Sequence, residues 1–337
     1  MGVQADLLDD ATALEPHLAA WDALAVARGR PYCAPAWMLS WLREVAPSGA
    51  LLRACVVHDG NELLGIAPLW TKDGDGGGRY GLLAERTSFP LEPLSAETRE
   101  SEVAGAIAHV LAEASPRPRE VVLQGAPGGS AWPRLLASHW PGYQPPAITR
   151  TRVEALPTVG LRHPTIEEWL GERSRGLRQQ IRRGRRRLEH AGAEFRVSSE
   201  AELDRDIDSL ARLHHARWAR RGGSRALDER VEAMLRLAGR ELHPMRYRLL
   251  SIDVDGLSIS AHLFVRAGGT LAYWLGGFDD RWAACWPSMQ VLVAAVADGI
   301  EHGDERFELG PGGQDYKYRL ADSEETLEWL TLAIGSR

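Results

Sequence analysis

A chain of 337 residues exceeds what one hydrophobic core usually serves, so two domains are expected. Its 44% apolar and 26% charged content is that of a globular protein, and a formal charge of -6 argues against general coating of nucleic acid, DNA included. Three scattered cysteines without metal-ligand spacing, an acidic start and no run of about 18 apolar residues argue against a disulfide framework, a bound metal, a secretory signal and a membrane span, leaving a cytoplasmic chain as the expectation.

Leu14, Leu18, Trp21 and Leu24 fall at helical spacing and predict a helix over residues 10–27. The turn RPYCAP leads into a second helix, AWMLSWLREV, whose start suits Pro35. Two apolar runs around Asp59-Gly60 predict a hairpin, because that pair tolerates the positive φ of a tight turn. The stretch GDGGG at 74–78 reads as a loop, followed by a helix over 96–114, a strand over 120–124 and a short helix over 131–139. Pro141, Pro145 and Pro146 mark a boundary, with a linker expected between 150 and 170.

The second half opens with a basic helix, RSRGLRQQIRRGRRRLEHAG, closed by Gly192. A strand at 194–197 and helices over about 200–220 and up to about 240 precede a second hairpin, around Asp255-Gly256. The strand TLAYWLGGF, a helix over 288–302, a strand over 306–310, the loop PGGQDYKYR and a final strand near 326–334 complete the chain. Both halves run helix, helix, hairpin with an Asp-Gly turn, strand, helix, strand. That order suggests two copies of one α/β module, against the alternative that such hairpins recur by accident.

Five stretches in the second half carry a resemblance: LHHARWARRGG, IDVDGLSISAHLFV, YWLGGFDDRW, PSMQVLVAAVADGIEHG and FELGPGGQDYKYRL. With them, residues 249–320 resemble the acetyltransferase domain of cellulose-biosynthesis-type GNAT proteins, which are related to the Fem aminoacyl transferases of peptidoglycan synthesis. The resemblance implies an α/β chain of tandem duplicated GNAT-like modules, each a mixed, mostly antiparallel central sheet flanked by helices. A degenerate N-terminal domain over 1–155 would help form an acceptor cleft, and residues 165–337 would be the acyltransferase domain. The implied activity is an N-acyltransferase that takes acetyl-CoA or another acyl-CoA and an amine of a small molecule or cell-envelope precursor, without metal. The alternatives are an aminoacyl-tRNA-dependent Fem-like transferase, in which tRNA is a partner, and a non-catalytic GNAT-fold binding protein.

In such a module the donor lies in a gap between two strands, with its pyrophosphate over a helix N-terminus, where free amides and the helix dipole favour an anion. The resemblance assigns this role to Ser288, Met289 and Gln290, with Gly276 and Gly277 on the strand and Arg178 and Arg182 on the basic helix. Ser288-Met289 stands where the family has a glycine-rich loop, so a merely capped helix start is the competing reading. The lysine that stabilises charge on the reacting carbonyl in Fem enzymes corresponds to Lys317, beside Asp315 and Tyr316. For the base, Asp315 ranks before His214, whereas His262 in an apolar strand reads as a hydrogen-bonded core histidine. Arg217, Trp218, Tyr273 and Trp274 are the substrate-side candidates. The arginine run over 173–187 has three readings: a solvated helix face, contact with the phosphates of CoA, or contact with a tRNA backbone.

Overall fold

The computed structural model describes residues 2–72, 78–219, 222–224 and 226–335, so the loop expected at 74–78 lies, apart from Gly78, outside the described residues. The chain divides into two compact units, Met1–Ala155 with Glu325–Arg337, and Leu156–Glu324. This corrects the expected partition in two respects. The last strand belongs with the first unit, and the expected linker is largely strand.

The first elements are β1 (Gln4–Leu8), α1 (Leu18–Ala27), α2 (Pro35–Glu44), β2 (Ala50–Asp59) and β3 (Glu62–Lys72). They are followed by β4 (Arg79–Leu82), β5 (Leu94–Ser95), α3 (Glu100–Ala112), β6 (Glu120–Pro127), α4 (Trp132–His139) and β7 (Ala147–Gly160). Then come α5 (Ile166–Gly171), α6 (Arg175–His190), β8 (Glu194–Val197), α7 (Leu203–Ala219), α8 (Glu229–Leu242), β9 (Tyr247–Val254) and β10 (Leu257–Ala267). The chain ends with β11 (Thr270–Phe278), α9 (Pro287–Glu301), β12 (Arg306–Glu308), the single turn α10 (Asp315–Tyr318) and β13 (Ser323–Ala333). Among the described residues no helix is long and apolar enough to cross a membrane.

In the first unit the strands run β1-β2-β3-β4-β6-β13, antiparallel except for β4 with β6. In the second they run β8-β9-β10-β11-β12 and then the end of β7, antiparallel except for β11 with β12. The parallel pair is spanned by α3 in one unit and by α9 in the other, since a parallel partner is reached only through a crossover. Each unit is therefore a mixed, mostly antiparallel sheet with helices, and the first five strands follow the same order in both, whereas the sixth ends the chain in one and precedes the others in the other. The strand next to β6 in the first unit, β13, comes from the C-terminal end of the chain.

The units differ where their parallel strands part. In the first, β4 pairs β6 only as far as Gly81 and Val122. Residues 83–95 then run from β4 to β5, which pairs with β3; on the way Leu91 N donates to Gly125 O of β6 at 3.2 Å, and Leu83, Ala84 and Leu91 are fully buried. The chain itself covers that parting.

In the second unit, Leu177, Ile181 and Leu188 form the apolar stripe of α6 and pack with Trp169, Phe264, Phe307 and the inner face of α9. Burying each leucine contributes about 1.5–3 kcal/mol. Helix α7 lies against β11 at Gly277, where an added Cβ would sit 2.5 Å from His214 N and 2.6 Å from Leu213 C. Gly277 is thus a spacer between helix and sheet, not the cofactor contact expected of it. Replacing it with alanine must push α7 off the sheet. Gly277→Ala is expected to lower the unfolding free energy by about 2 kcal/mol in chemical denaturation, and an unchanged midpoint would show that α7 does not sit on β11 at this distance.

Candidate active site

Strand β11 keeps register with β12 over three pairs only, Thr270 with Arg306, Leu271 with Phe307 and Ala272 with Glu308. Two local features end the ladder. Against β10, the register of β11 shifts between Leu263 and Phe264, so that Trp274 is passed over. Beyond β12, Gly310 adopts φ +76° and turns the chain away, a conformation that glycine reaches without steric cost. Lys317 locks this turn, its ammonium donating to Gly310 O at 2.9 Å and Pro311 O at 2.7 Å.

Beside this parting lies a cavity of about 630 Å³ in the second unit. Of the residues predicted from sequence, it gathers His214, Arg217 and Trp218 from α7, Tyr273, Trp274 and Gly276 from β11, Ser288 and Met289 from α9, and Tyr316 from α10. Other residues on its wall were not assigned to the site from sequence, among them Ser224, His262, Trp286, Gln314 and Arg319. No described residue on the wall carries a carboxylate, whereas two carry guanidinium groups.

The start of α9 reaches this wall through an unusual turn. Trp286 precedes the helix in the left-handed region, φ 56° and ψ 51°, and Pro287 occupies the first helical position, where no N–H is needed. The first bond of the helical ladder is Gln290 N to Trp286 O at 3.0 Å. The amides of Ser288 and Met289 precede it and point along the positive end of the dipole, which suits an anion. Arg319 adds a cation, its Cζ 4.7 Å from the centre of the Trp286 ring.

Several predicted contacts lie elsewhere. Gln290 is buried and donates through Nε2 to Ile181 O at 2.9 Å, tying α9 to α6. Arg178 closes the turn before α6 by donating to Gly171 O and to Arg173 O, the latter at 2.9 Å. Arg182 is exposed on the outer side of that helix, off the cavity wall, because the inner side is taken by the leucine and isoleucine stripe. Asp315 is exposed at the first position of α10 and does not line the cavity. Lys317 is also absent from the wall, since its side chain is buried behind the turn it holds. Burial lowers its pKa to about 8.

The two histidines of the wall differ in their surroundings. His214 Nε2 lies 2.8 Å from Ser224 Oγ, while Nδ1 has no hydrogen-bond partner among the described residues. Burial lowers its pKa, opposed by the backbone of Gly276 and reinforced by His215 and Arg217. His262 is 2% exposed, neither of its ring nitrogens has a partner among the described residues, and burial lowers its pKa to about 3. It faces Gly276 across the β10–β11 ladder, where a Cβ would come within 2.0 Å of its Nδ1. Burial also raises the phenol pKa of Tyr273 and Tyr316, so both stay protonated at neutral pH. The expectation of a hydrogen-bonded core histidine at 262 is therefore met in burial but not in hydrogen bonding among the described residues.

Residues 175–318 match the family model described as an acetyltransferase (GNAT) domain. The match covers less than half of the chain but holds every cavity residue except Arg319. Among solved structures, one of FemX is similar with a TM-score of 0.64 and 10% identity, over 98% of this chain and 97% of that one. L-PGS from Bacillus licheniformis is similar with a TM-score of 0.59 and 12% identity, over 97% and 92%. The C-terminal domain of a putative lysylphosphatidylglycerol synthetase from Agrobacterium fabrum reaches 0.52 and 12%, over 85% and 81%. At these identities the likeness is one of fold. A comparison with curated proteins finds no match.

The close fit of Gly276 to His262 is open to test by a double-mutant cycle. Gly276→Ala alone is expected to lower stability by about 1–3 kcal/mol through crowding. His262→Ala in the same chain is expected to recover more than half of that loss, and additive effects of the two changes would contradict the contact.

Proposed function

We propose that the chain is an N-acyltransferase that binds acyl-coenzyme A, acetyl-CoA included, in the cavity of its second unit and transfers the acyl group to an acceptor amine. One observation carries the reading: the start of α9, the parted half of β11 and the α10 segment share one wall. The fit to the donor is chemical. The Ser288 and Met289 amides with Arg319 suit phosphate oxygens, and the aromatic wall suits the uncharged arm and acyl group. The buried, unpartnered nitrogens of His262 also favour a polar ligand at the inner end of the cavity.

In the transfer, the neutral acceptor nitrogen attacks the thioester carbonyl carbon. The C–N bond forms, the carbonyl electron pair moves to oxygen, and its return breaks the C–S bond and releases thiolate. The nitrogen must lose a proton, and His214, on the wall and linked to Ser224, receives it. Asp315, the first choice from sequence, yields this role because it does not reach the wall. Lys317 acts on the turn that keeps the strands apart instead of on the carbonyl. A second reading, transfer from an aminoacyl-tRNA, is favoured by the exposed Arg182, Arg183 and Arg186 on α6. In that case activity would require charged tRNA and fall steeply with salt.

Calorimetry with CoA tests the donor. One molecule per chain is expected, because the corresponding parting in the first unit is covered by residues 83–95, and Arg319→Ala should weaken binding about tenfold. No heat at millimolar CoA, with acyl transfer from charged tRNA instead, would replace this reading by the second.

The pH profile tests the residues. A base with a lowered pKa works only once deprotonated, so the acid limb of kcat/KM is expected below pH 6.5, the ordinary histidine value, and His214→Gln should abolish it. Lys317 loses its charge as pH rises past about 8, which weakens the lock on the turn, so an alkaline fall is expected near that pH and should be missing in Lys317→Met. Limbs unmoved by either substitution would remove both residues from these roles.

A further inference from the structure

Among the described residues, His262 is the histidine with both ring nitrogens buried and unpartnered, in contrast to three others that are buried or half-buried. His243 Nε2 meets Ser198 O at 2.9 Å, His302 Nδ1 meets Asp298 O at 2.7 Å, and His58 engages Gly60 O at 3.0 Å and Asp6 at 2.9 Å. His262 is more deeply buried than any of these, yet both of its nitrogens lack a partner among the described residues. Leaving a buried polar group unpaired costs about 1–3 kcal/mol, so an imidazole kept this way in a core is unfavourable without a return. The side chain is not enclosed by core on all sides, since it forms part of the cavity wall. Its ring packs in a cluster with Phe264 and Tyr273, centroids 6.5 Å and 5.6 Å away, and Gly276 leaves the space that it fills. Its position is therefore fixed by packing while its hydrogen-bonding capacity is unspent.

We propose that the His262 imidazole is a catalytic residue of this transferase, donating its ring N–H to the carbonyl oxygen of the acyl group under attack. The inference rests on the donor reading above and adds to it the group that meets the developing charge. A neutral imidazole has one donor and one acceptor nitrogen. The charged groups around it are few: Arg217 of α7 stands nearest in effect, and Tyr273 and Tyr316 remain protonated phenols. Burial and Arg217 both disfavour a second proton on the ring, which holds its pKa near 3 and makes it a poor base. What remains is a fixed, uncharged donor on the cavity wall. As the C–N bond forms and the electron pair moves to oxygen, that donor strengthens its bond to the oxygen. It keeps its own proton throughout, and the proton lost by the acceptor goes to His214.

The test has one arm that needs no turnover. In protein labelled with 15N in histidine, the His262 ring is expected to keep a neutral pattern from about pH 5 to about pH 8. Its N–H resonance should shift on adding the ketone analogue of acetyl-CoA, which retains the carbonyl, and stay in place with CoA, which has none. In the kinetic arm, His262→Phe should bind CoA within about threefold of the parent while kcat falls about 100-fold. His262→Gln, which keeps a donor, should recover at least a tenth of the parent kcat. A ring that titrates near neutrality, a resonance moved equally by CoA, or an unchanged kcat in His262→Phe overturns the assignment while leaving the donor reading intact. Failure of the parent protein to bind either CoA compound overturns both.

Discussion

Three residue pairs of parallel ladder between β11 and β12 are the constraint on which the site depends. A strand satisfies its backbone on both edges or leaves one edge for another partner. Beyond Ala272, β10 continues along one edge of β11 while β12 has already turned away at Gly310. The first unit reaches the same point of the same strand order and closes it with its own residues 83–95, so Leu91 supplies a hydrogen bond to Gly125. In the second unit a cavity lies there instead. At this point the two modules thus differ in the route of one connecting segment.

Much of the surrounding charge serves to hold this opening. Lys317 spends its ammonium on two carbonyls of the turn, and Arg173, also buried, reaches Leu320 O at 3.0 Å and the carboxylate of Asp322 just beyond α10. The basic helix α6 braces the other side. Arg187 donates to Ala284 O at 2.9 Å and Ile181 O accepts from Gln290, so the stretch that carries Trp286 and the start of α9 is fixed from behind. Charge-assisted bonds to backbone carbonyls are stronger than neutral ones and suit irregular segments that lack a ladder of their own. Part of the arginine run is therefore structural, and the cations that reach the cavity come from other elements, Arg217 and Arg319.

Local patterns made most elements legible. Both Asp-Gly turns, the Pro35 helix start and the leucine stripe of α6 follow from dihedral preference and periodicity, which act over a few residues. The exchange of final strands did not, because nothing in the string LEWLTLA specifies β6 as its neighbour; pairing partners are set by tertiary contacts. The site split in the same way. Ser288, Met289 and Tyr316 were legible through motif order, and the structure brings them to one wall. His262 was not, since its neighbours in β10 are apolar and its access to the cavity depends on Gly276 in the adjacent strand, a register that no single segment encodes. Asp315 and Lys317, named from the same motif, do not line the cavity, for a related reason. Adjacent residues on one helical turn point in different directions, so a motif locates a turn without saying which of its side chains faces the ligand.

The two histidines then divide the chemistry by environment. His214 has a hydroxyl at 2.8 Å and lies within the backbone influence of Gly276, so a proton arriving there has somewhere to be shared. His262 packs against two aromatic rings, and burial and Arg217 disfavour its cation, so a second proton would gain nothing. Identical side chains pushed to different proton affinities can act together at one pH, one accepting a proton and the other remaining a neutral donor. Acyl transfer to an amine needs both at once, because positive charge develops on the nitrogen while negative charge develops on the oxygen. A cation in the place of His262 would bind anionic ligands strongly from the start, whereas a neutral donor does its main stabilising in the transition state. The apolar surroundings that made His262 look like core in the sequence are, on this argument, what equips it for the oxygen.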